Sequence, residues 1–297
     1  MENQNAAAAK NRHGSKKQNF WKEVFRRLKK NSSAMIALYI ILFFLAVALA
    51  AGVIAPYSEV IKQNVPNRLQ PPSASHWFGT DDFGRDVFSR VVYGTRISLF
   101  IGIIVSFFSL VSGGFFGAVA AFYGGLTDSI IMRIMDMLTS LPSILLSMCV
   151  VAALGANMQN LLIALTLSNI PVFARMVRST MMTVVDMEYV EAARACGTKD
   201  GRIIMKYILP NSMGPIIVQA TRSISQTILA AAGLSYIGLG VQSPTPEWGA
   251  MLTSAREYMR TYPYLMVFPG IALVLTALSF ELLGDGLRDA LDPRLKD

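Results

Sequence analysis

Long apolar runs, separated by short stretches that carry most of the charge, constrain this chain more than any other feature. Of its 297 residues, 53% are hydrophobic and only 15% are charged. A helix that crosses the hydrocarbon core of a membrane needs roughly 20 apolar residues, and soluble domains carry more charge than this chain does. The pattern therefore predicts an all-α polytopic membrane protein.

Six segments are long and apolar enough to be predicted as membrane-spanning helices. They are 34–55, 97–123, 129–153, 159–177, 213–238 and 263–284. The third contains Arg133, Asp136 and Pro142, and the fifth contains Pro215 and Arg222. Charge and proline make these two the least regular of the six. Arg133 and Asp136, three residues apart, are expected to pair.

The predicted spans divide the chain into a basic cytoplasmic tail (1–33), a first anchor (34–55), an extracytoplasmic loop (56–96), a five-helix core (97–284) that contains a cytoplasmic loop (186–211), and a cytoplasmic tail (285–297). The orientation follows from Lys and Arg, which short loops retain on the cytoplasmic side. Nine of the 27 lie before residue 31. We therefore expect both termini in the cytoplasm of a bacterium or archaeon, with the spans in its inner or cell membrane.

The net charge of +8 is accounted for by this orientation, with contact between the basic N-terminal segment and anionic membrane lipid as a further effect. Nucleic-acid binding is not expected. The histidines His13 and His76 and the cysteines Cys149 and Cys196 are too scattered to predict a metal cluster.

Sequence signatures of catalysis are also missing. The chain has no Gly-x-x-x-x-Gly-Lys-Ser/Thr loop for nucleotide phosphates, and no catalytic triad or metalloprotease pattern can be placed on one side of the membrane. An energised role would require a separate ATPase. The sequence thus argues against an enzyme.

A charged stretch, 188–211, lies between apolar segments and predicts two short helices outside the bilayer. Asp186 is expected to cap a helix whose small face is Ala192, Ala193 and Cys196. Gly197 would end it, since glycine tolerates a left-handed backbone. A second helix through 202–206 would stop before Pro210. Such a helix-turn-helix offers an edge to another protein; the alternative is a solvated amphipathic connector.

The spacing of Glu191-Ala192-Ala193, Gly197 and Leu209-Pro210 resembles the signature of the membrane subunits of ATP-binding-cassette (ABC) importers. Tyr207 stands where that signature prefers isoleucine. The resemblance implies that this stretch is a coupling helix that inserts into a groove on a partner ATPase. The docking residues that it implies are Glu188, Glu191, Ala192, Ala193, Arg194, Gly197, Leu209 and Pro210.

Three other segments resemble the dipeptide and oligopeptide permeases of this class. They are 76–99 (HWFGTDDFGRDVFSRVVYGTRISL), 238–251, and 282–297 (LLGDGLRDALDPRLKD). Glu281, before the last of these, departs from the asparagine expected there. In the first, Val87, Phe88, Val91 and Val92 form an apolar stripe that could lie along the membrane surface. In the second, Trp248 suits an interfacial anchor.

The resemblance implies the type I ABC importer permease fold and a C-type permease subunit of a peptide importer. Its implied partners are a sister permease, two cytoplasmic ATPase subunits that hold ATP and magnesium, and an extracytoplasmic peptide-binding protein. This chain itself would bind no cofactor. The alternatives are an importer of nickel or another metal chelate and, more distantly, a passive channel or a membrane enzyme.

Two intramembrane features complete the expectations. If the fifth span starts near Asn211, Arg222 lies about 15 Å into the bilayer, where a charge normally faces a cavity or a partner. We expect it to face the translocation path or the sister subunit and to meet a peptide carboxylate; alternatively it reaches the cytoplasmic headgroups. Gly113, Gly114 and Gly117 predict close helix packing.

Overall fold

The structure, a computed structural model, describes residues 20–291 and is helical through most of that range. Numbered in chain order, the α-helices of this part are α1 (Phe20–Leu28), α2 (Ser32–Ile54), α3 (Tyr57–Ile61), α4 (Val87–Tyr123), α5 (Gly125–Thr139), α6 (Ser143–Leu154), α7 (Met158–Met182), α8 (Glu188–Ala195), α9 (Asp200–Ile203), α10 (Leu209–Tyr236), α11 (Trp248–Ala255) and α12 (Tyr264–Leu291). A π-helical turn, Ile204–Ile208, joins α9 to α10. The all-α prediction is confirmed.

Four helices, α2, α4, α7 and α12, are long and apolar enough to cross a membrane, and α5 with α6 makes five if this bent pair is one span. Helix α10, which contains most of the predicted fifth span, has 28 residues but is not among them. Its serines, threonines and Arg222 make it less apolar than the others. The count of six therefore remains a prediction.

The boundary predicted between residues 96 and 97 falls inside α4, which begins ten residues earlier than the predicted span. The Asp86 side chain accepts a hydrogen bond from the Ser89 amide at 2.8 Å and so caps this helix. Val87 and Val91, expected along the membrane surface, are instead buried in its first turns. The surface-stripe interpretation was wrong because capping starts the spanning helix here.

The predicted boundary at residue 285 falls within α12, which continues to Leu291. The end of the predicted C-terminal tail and the first 19 residues of the N-terminal tail, including His13, lie outside the described residues. The remainder of the N-terminal tail includes α1, which packs against α12.

The predicted third span is broken. Helices α5 and α6 meet at 78°, and Pro142 occupies the N-cap position of α6 with an extended ψ of 136°. Because proline lacks an amide hydrogen, it cannot continue the helical hydrogen bonds of α5. Pro142 therefore accounts for the bend.

Helices α4 and α7 pack together more extensively than any other pair of helices in the described range. A Cβ atom added at Gly113 would lie 2.5 Å from the Ile170 carbonyl oxygen, and one at Gly117 would lie 2.3 Å from that of Ala174. The same atom at Gly114 would meet nothing closer than 3.8 Å. Close packing is confirmed for two of the three glycines.

Trp248 is fully buried, so its prediction as an interfacial anchor was wrong. Its indole Nε1 donates to the Val91 carbonyl at 3.2 Å, and its ring meets that of Phe44 edge-on, with centroids 5.9 Å apart. Glu247 turns the chain inward by accepting hydrogen bonds from the amides of residues 249 and 250, both at 2.8 Å. This cap places Trp248 between α2 and α4.

The glycine contacts give the first prediction. Gly117→Ala should reduce the free energy of unfolding by about 2 kcal/mol, since a methyl group would overlap the α7 backbone, which cannot move aside. Gly114→Ala is the matched control and should not reduce stability, since its methyl group would meet nothing closer than 3.8 Å and alanine favours the helix more than glycine does. Thermal unfolding of the two purified variants in detergent tests this difference, and equal melting temperatures would contradict it.

Candidate functional site

The charged stretch forms a compact unit outside the long helices, made of α8, α9 and the π-helical turn. We call residues 188–208 the docking knuckle. Its first helix starts at Glu188 after Met187, which occupies the N-cap position without a side-chain hydrogen bond. Asp186 stands one residue too early, so its predicted capping role was wrong. Glu188 and Glu191 place negative charge in the first turn, where the helix dipole favours it.

Gly197 ends α8 as the sequence predicts. Its φ is +69°, and its amide donates to the Arg194 carbonyl at 2.9 Å, while the Thr198 amide donates to the Ala193 carbonyl at 3.1 Å. This pair of bonds is a Schellman motif, which satisfies the last carbonyls of a helix. The motif fixes the angle at which α8 turns into α9.

The second helix, predicted through 202–206, does not stop before Pro210, so that prediction was wrong. The π-helical turn leads directly into α10, and Pro210 lies in the first turn of α10. Because proline has no amide hydrogen, Pro210 interrupts the regular helical hydrogen bonds without ending the helical backbone. Since the helical backbone is continuous from Asp200 into α10, α9 and the π-helical turn form one rod with α10, and the turn at Gly197 separates α8 from it.

Most of the predicted docking residues lie at the surface. Glu188, Glu191, Ala192, Arg194, Gly197 and Pro210 are exposed, Leu209 is partly buried, and Ala193 is buried. Of the predicted helix face of small residues, only Ala193 is packed against the protein, since Ala192 and Cys196 are exposed. The prediction did not include Met187, Tyr189 and Met205, whose exposed side chains add apolar surface beside the acidic residues.

An apolar cluster fixes the docking knuckle to the long helices. Val190, Ile203 and Ile208 are fully buried, and they belong to one cluster with residues of α4, α7 and α10 such as Ala121, Val177 and Ile216. Buried apolar contacts of this kind resist separation because each exposes surface to water when broken. A displacement of the docking knuckle must therefore displace the ends of these three helices.

Two polar contacts also join the docking knuckle to α4. The Tyr123 hydroxyl donates to an Asp200 carboxylate oxygen at 3.2 Å. The Arg194 guanidinium lies 5.0 Å from the centroid of the Phe122 ring, a distance typical of a cation–π contact. Part of the Arg194 side chain, one of the predicted docking residues, is thus directed at its own chain.

Arg222 pairs with two carboxylates of α12. Its Nε lies 2.9 Å from a Glu281 oxygen, and its Nη2 lies 3.1 Å from an Asp285 oxygen. Gly284 leaves room for this arrangement, because a Cβ there would lie 2.6 Å from the Arg222 side chain. The prediction that Arg222 contacts a peptide carboxylate did not take these partners into account, although Glu281 and Asp285 stand four residues apart on one helical face.

An open cavity of about 440 Å³ lies beside Arg222. Its other lining residues come from α7, α10 and α12: Met176, Gly214, Pro215, Val218, Gln219, Arg288 and Leu291. Arg222 is therefore both neutralised within its own chain and adjacent to open space.

Two further ion pairs link α5 to α7. Arg178 donates to both carboxylate oxygens of Asp128 at 2.5 Å, and Arg175 lies 3.5 Å from Asp136. The expected pairing of Asp136 with Arg133 was thus wrong about its partner, because α7 packs against this face of α5. These pairs line an open cleft of about 800 Å³.

The segment before α4 is held by buried charges. Arg85 and Arg90 both approach Asp81, at 2.6 Å and 3.5 Å, and Arg90 also donates to the Pro244 carbonyl at 3.3 Å. Burial, with repulsion from Asp81, raises the pKa of the Asp82 carboxyl. Within residues 20–291, no group of three or more His, Cys, Asp or Glu side chains could hold a metal.

Comparison with known proteins identifies the class that this geometry defines. The family described as "binding-protein-dependent transport system inner membrane component" matches residues 113–297, which include the docking knuckle. The family described as "N-terminal TM domain of oligopeptide transport permease C" matches residues 19–72. The chain belongs to the family of binding-protein-dependent inner-membrane transport components. It is thus a multi-pass permease subunit and part of a transport system.

Curated relatives cover most of the chain. The "dipeptide transport system permease protein DppC" of Alkalihalophilus pseudofirmus is 48% identical over 93% of this chain and 90% of its own length. The "glutathione transport system permease protein GsiD" of Pectobacterium atrosepticum is 43% identical over 93% of this chain and 92% of its own length.

The fold also matches solved structures. A structure of inward-facing conformations of the MetNI methionine ABC transporter has a TM-score of 0.56 and 21% identity, over 68% of this chain and 96% of the matched chain. A structure of an amino acid ABC transporter has a TM-score of 0.53 and 14% identity, over 68% and 94%. At such identities the likeness concerns the fold, which is that of ABC importer permeases.

The Schellman motif gives a second prediction. Gly197→Ala should destabilise the turn by about 1 kcal/mol, because an L-residue with a side chain disfavours the left-handed backbone. Gly201→Ala is the matched control, since a Cβ there meets nothing within 4 Å and no positive φ is required. Hydrogen exchange of residues 188–208 should accelerate in the first variant alone. Equal exchange in both would contradict the role of Gly197.

The charge cluster gives a third prediction. Arg222→Met should lower the free energy of unfolding by about 2 kcal/mol, between the values typical of exposed and buried pairs, since it leaves two carboxylates without their cation. Adding Glu281→Gln should restore part of that loss. A double-mutant cycle measured by thermal unfolding tests the coupling, and strictly additive effects would show that the pair contributes nothing.

Proposed function

We propose that this chain is the permease subunit of an ABC importer that takes up dipeptides and oligopeptides. The observation that carries the proposal is the docking knuckle, an exposed edge of charged and apolar side chains fixed by a buried cluster to three long helices. The substrate class is supported by the names of the relatives, which include a dipeptide and a glutathione permease.

The proposed assembly contains a sister permease, two cytoplasmic ATPase subunits that bind ATP and magnesium, and an extracytoplasmic peptide-binding protein. The need for a binding protein agrees with the family description. The need for separate ATPases agrees with the lack of a phosphate-binding loop in this sequence. Glu188, Glu191, Ala192, Ala193, Arg194, Gly197, Leu209 and Pro210 are the proposed docking residues for one ATPase.

Transport would proceed by alternating access, in which ATP binding and hydrolysis change the membrane face to which the cavity opens. Closure of the ATPases would move the docking knuckle. Because its buried cluster includes α4, α7 and α10, these helices would move with it. The continuous helical path from Ile204 into α10 supports such transmission.

The proposed topology has six spans, with α10 as the fifth and with both termini and the docking knuckle in the cytoplasm of a bacterium or archaeon. The broken α5–α6 pair counts as one span. Helix α10 is less apolar than the other spans, which suits a helix that packs against protein and lines an aqueous cavity.

Arg222 remains a candidate residue of the translocation path, because it lines the open cavity between α7, α10 and α12. Its pairing with Glu281 and Asp285 argues against a receptor for the peptide carboxylate. We propose instead that it sets the charge of the cavity wall. Unchanged uptake of every peptide by Arg222→Met would contradict this role.

The fourth prediction tests the proposed function with the complete transporter in proteoliposomes, supplied with ATP, the binding protein and radiolabelled peptides. Peptide should accumulate, and Glu191→Ala should reduce accumulation at least about tenfold by uncoupling ATP hydrolysis from movement of the spans. Glu257→Ala, an exposed glutamate far along the chain from the docking knuckle, is the control and should transport normally.

Three other outcomes of that experiment would overturn parts of the proposal. Uptake of nickel without peptide uptake would assign the chain to a metal-chelate importer. Flux without ATP would identify a passive channel, which needs no docking edge. Full peptide uptake by Glu191→Ala would remove the docking role of Glu191 and leave the importer assignment intact.

A further inference from the structure

The short helix α1 carries a concentrated positive charge. Between residues 22 and 30 lie five basic side chains and one acidic one. Its apolar residues Val24 and Leu28 are buried, in a cluster with Ala34 and Ala290. One face of α1 is therefore fixed to the end of α12, and its basic residues are left on the other faces.

The position of α1 along the chain places it at the membrane surface. Only three residues separate its end, Leu28, from the start of the apolar helix α2 at Ser32. A chain that enters the bilayer at Ser32 must leave α1 at the level of the lipid headgroups. Phe25, half-exposed on α1, presents an aromatic ring at that level.

A cavity of about 210 Å³ lies between α1 and the end of α12. It is lined by Glu23, Arg26, Arg27, Lys30, Asn31, Gly286, Asp289 and Ala290. Three of these side chains are cations and two are carboxylates, so the lining carries a net positive charge. Lys22 and Lys29, exposed nearby, strengthen the positive potential.

Glu23 organises the cations at this cavity. Its carboxylate lies 2.7 Å from Arg26 and 3.2 Å from Arg27, and the hydrogen bonds from these two side chains lower its pKa. One carboxylate thus holds two guanidinium groups side by side. Arg26 contacts Glu23 through Nη2, and its planar guanidinium carries further N–H groups that can donate to a second acceptor.

We propose that this cavity binds the phosphate headgroup of an anionic phospholipid from the cytoplasmic leaflet. Guanidinium groups suit phosphate because their fork matches its oxygens, and Lys30 adds a point charge at the same lining. A lipid is the occupant rather than free phosphate because the site lies at the headgroup level, and its acyl chains can run along the exposed apolar side chains of α2.

The site would have a mechanical consequence at the end of α12. Gly286 lies against α2 so closely that a Cβ there would be 2.2 Å from the Ala34 Cβ, and the neighbouring Asp285 pairs with Arg222. A lipid bound between α1 and α12 would therefore hold the helix end that carries this ion pair. The proposal does not depend on which substrate is transported.

The fifth prediction tests the lipid site by native mass spectrometry of the purified full-length chain in micelles with phosphatidylglycerol and phosphatidylcholine. The chain should retain the anionic lipid about tenfold over the zwitterionic one. Arg26→Gln/Lys30→Gln should abolish that preference. Lys62→Gln/Arg68→Gln, which removes the same charge from the segment before α4, is the matched control and should preserve it.

A variant with the opposite expected effect on lipid retention tests the proposal if the first double variant is poorly folded. Asp289→Asn removes a carboxylate from the lining and should increase retention of phosphatidylglycerol. Equal loss in both double variants would overturn the proposal, since it would show only a general charge effect. Displacement of the lipid by inorganic phosphate at constant ionic strength would also overturn it, because the site would then be a free-anion site.

Discussion

The contact on which the other features depend is the approach of the α4 and α7 backbones at Gly113 and Gly117. Lipid supplies no hydrophobic force between helices, so small residues that allow close van der Waals contact are needed to hold them together. Helix α4 then carries structure at both ends. Its N-terminal end receives the buried Trp248, and its C-terminal end contacts the docking knuckle through Phe122 and Tyr123. If α4 and α7 were separated, the contacts at both ends of α4 would lose their fixed position relative to α7.

Ion pairs also join neighbouring helices. Arg178 binds Asp128 across α5 and α7, and Arg222 binds Glu281 and Asp285 across α10 and α12. Isolated charges near a bilayer are costly, and a partner on a neighbouring helix lowers that cost. Each pair also specifies which helices are neighbours. Arg222 and the Arg178–Asp128 pair line open spaces, so these ion pairs are only partly buried.

Sequence reasoning predicted four of the apolar helices, the helix end at Gly197 and the close packing at Gly113 and Gly117, because hydropathy, helix-ending glycine and small-residue spacing act locally. It missed what depends on distant residues. Trp248 looked like an interfacial anchor because nothing near it in the sequence reveals that Glu247 turns it towards Val91. The partners of Arg222 are about 60 residues away, and only the antiparallel packing of α10 and α12 brings them together. Pro210 was expected to end a helix because a π-helical turn cannot be anticipated from local spacing.

The length of α4 has a consequence for how its two ends are related. Its 37 residues extend about 55 Å, well beyond the roughly 30 Å hydrocarbon core, and no proline interrupts it. Successive residues of an α-helix are rotated by about 100° around the helix axis. Gly94 faces Trp248, since a Cβ there would lie 3.1 Å from the Trp248 ring. Its direction is therefore fixed relative to the direction in which Phe122 faces Arg194. Inserting or deleting a single residue anywhere between them would rotate one contact away from its partner, so the helix can change length only by near-whole turns.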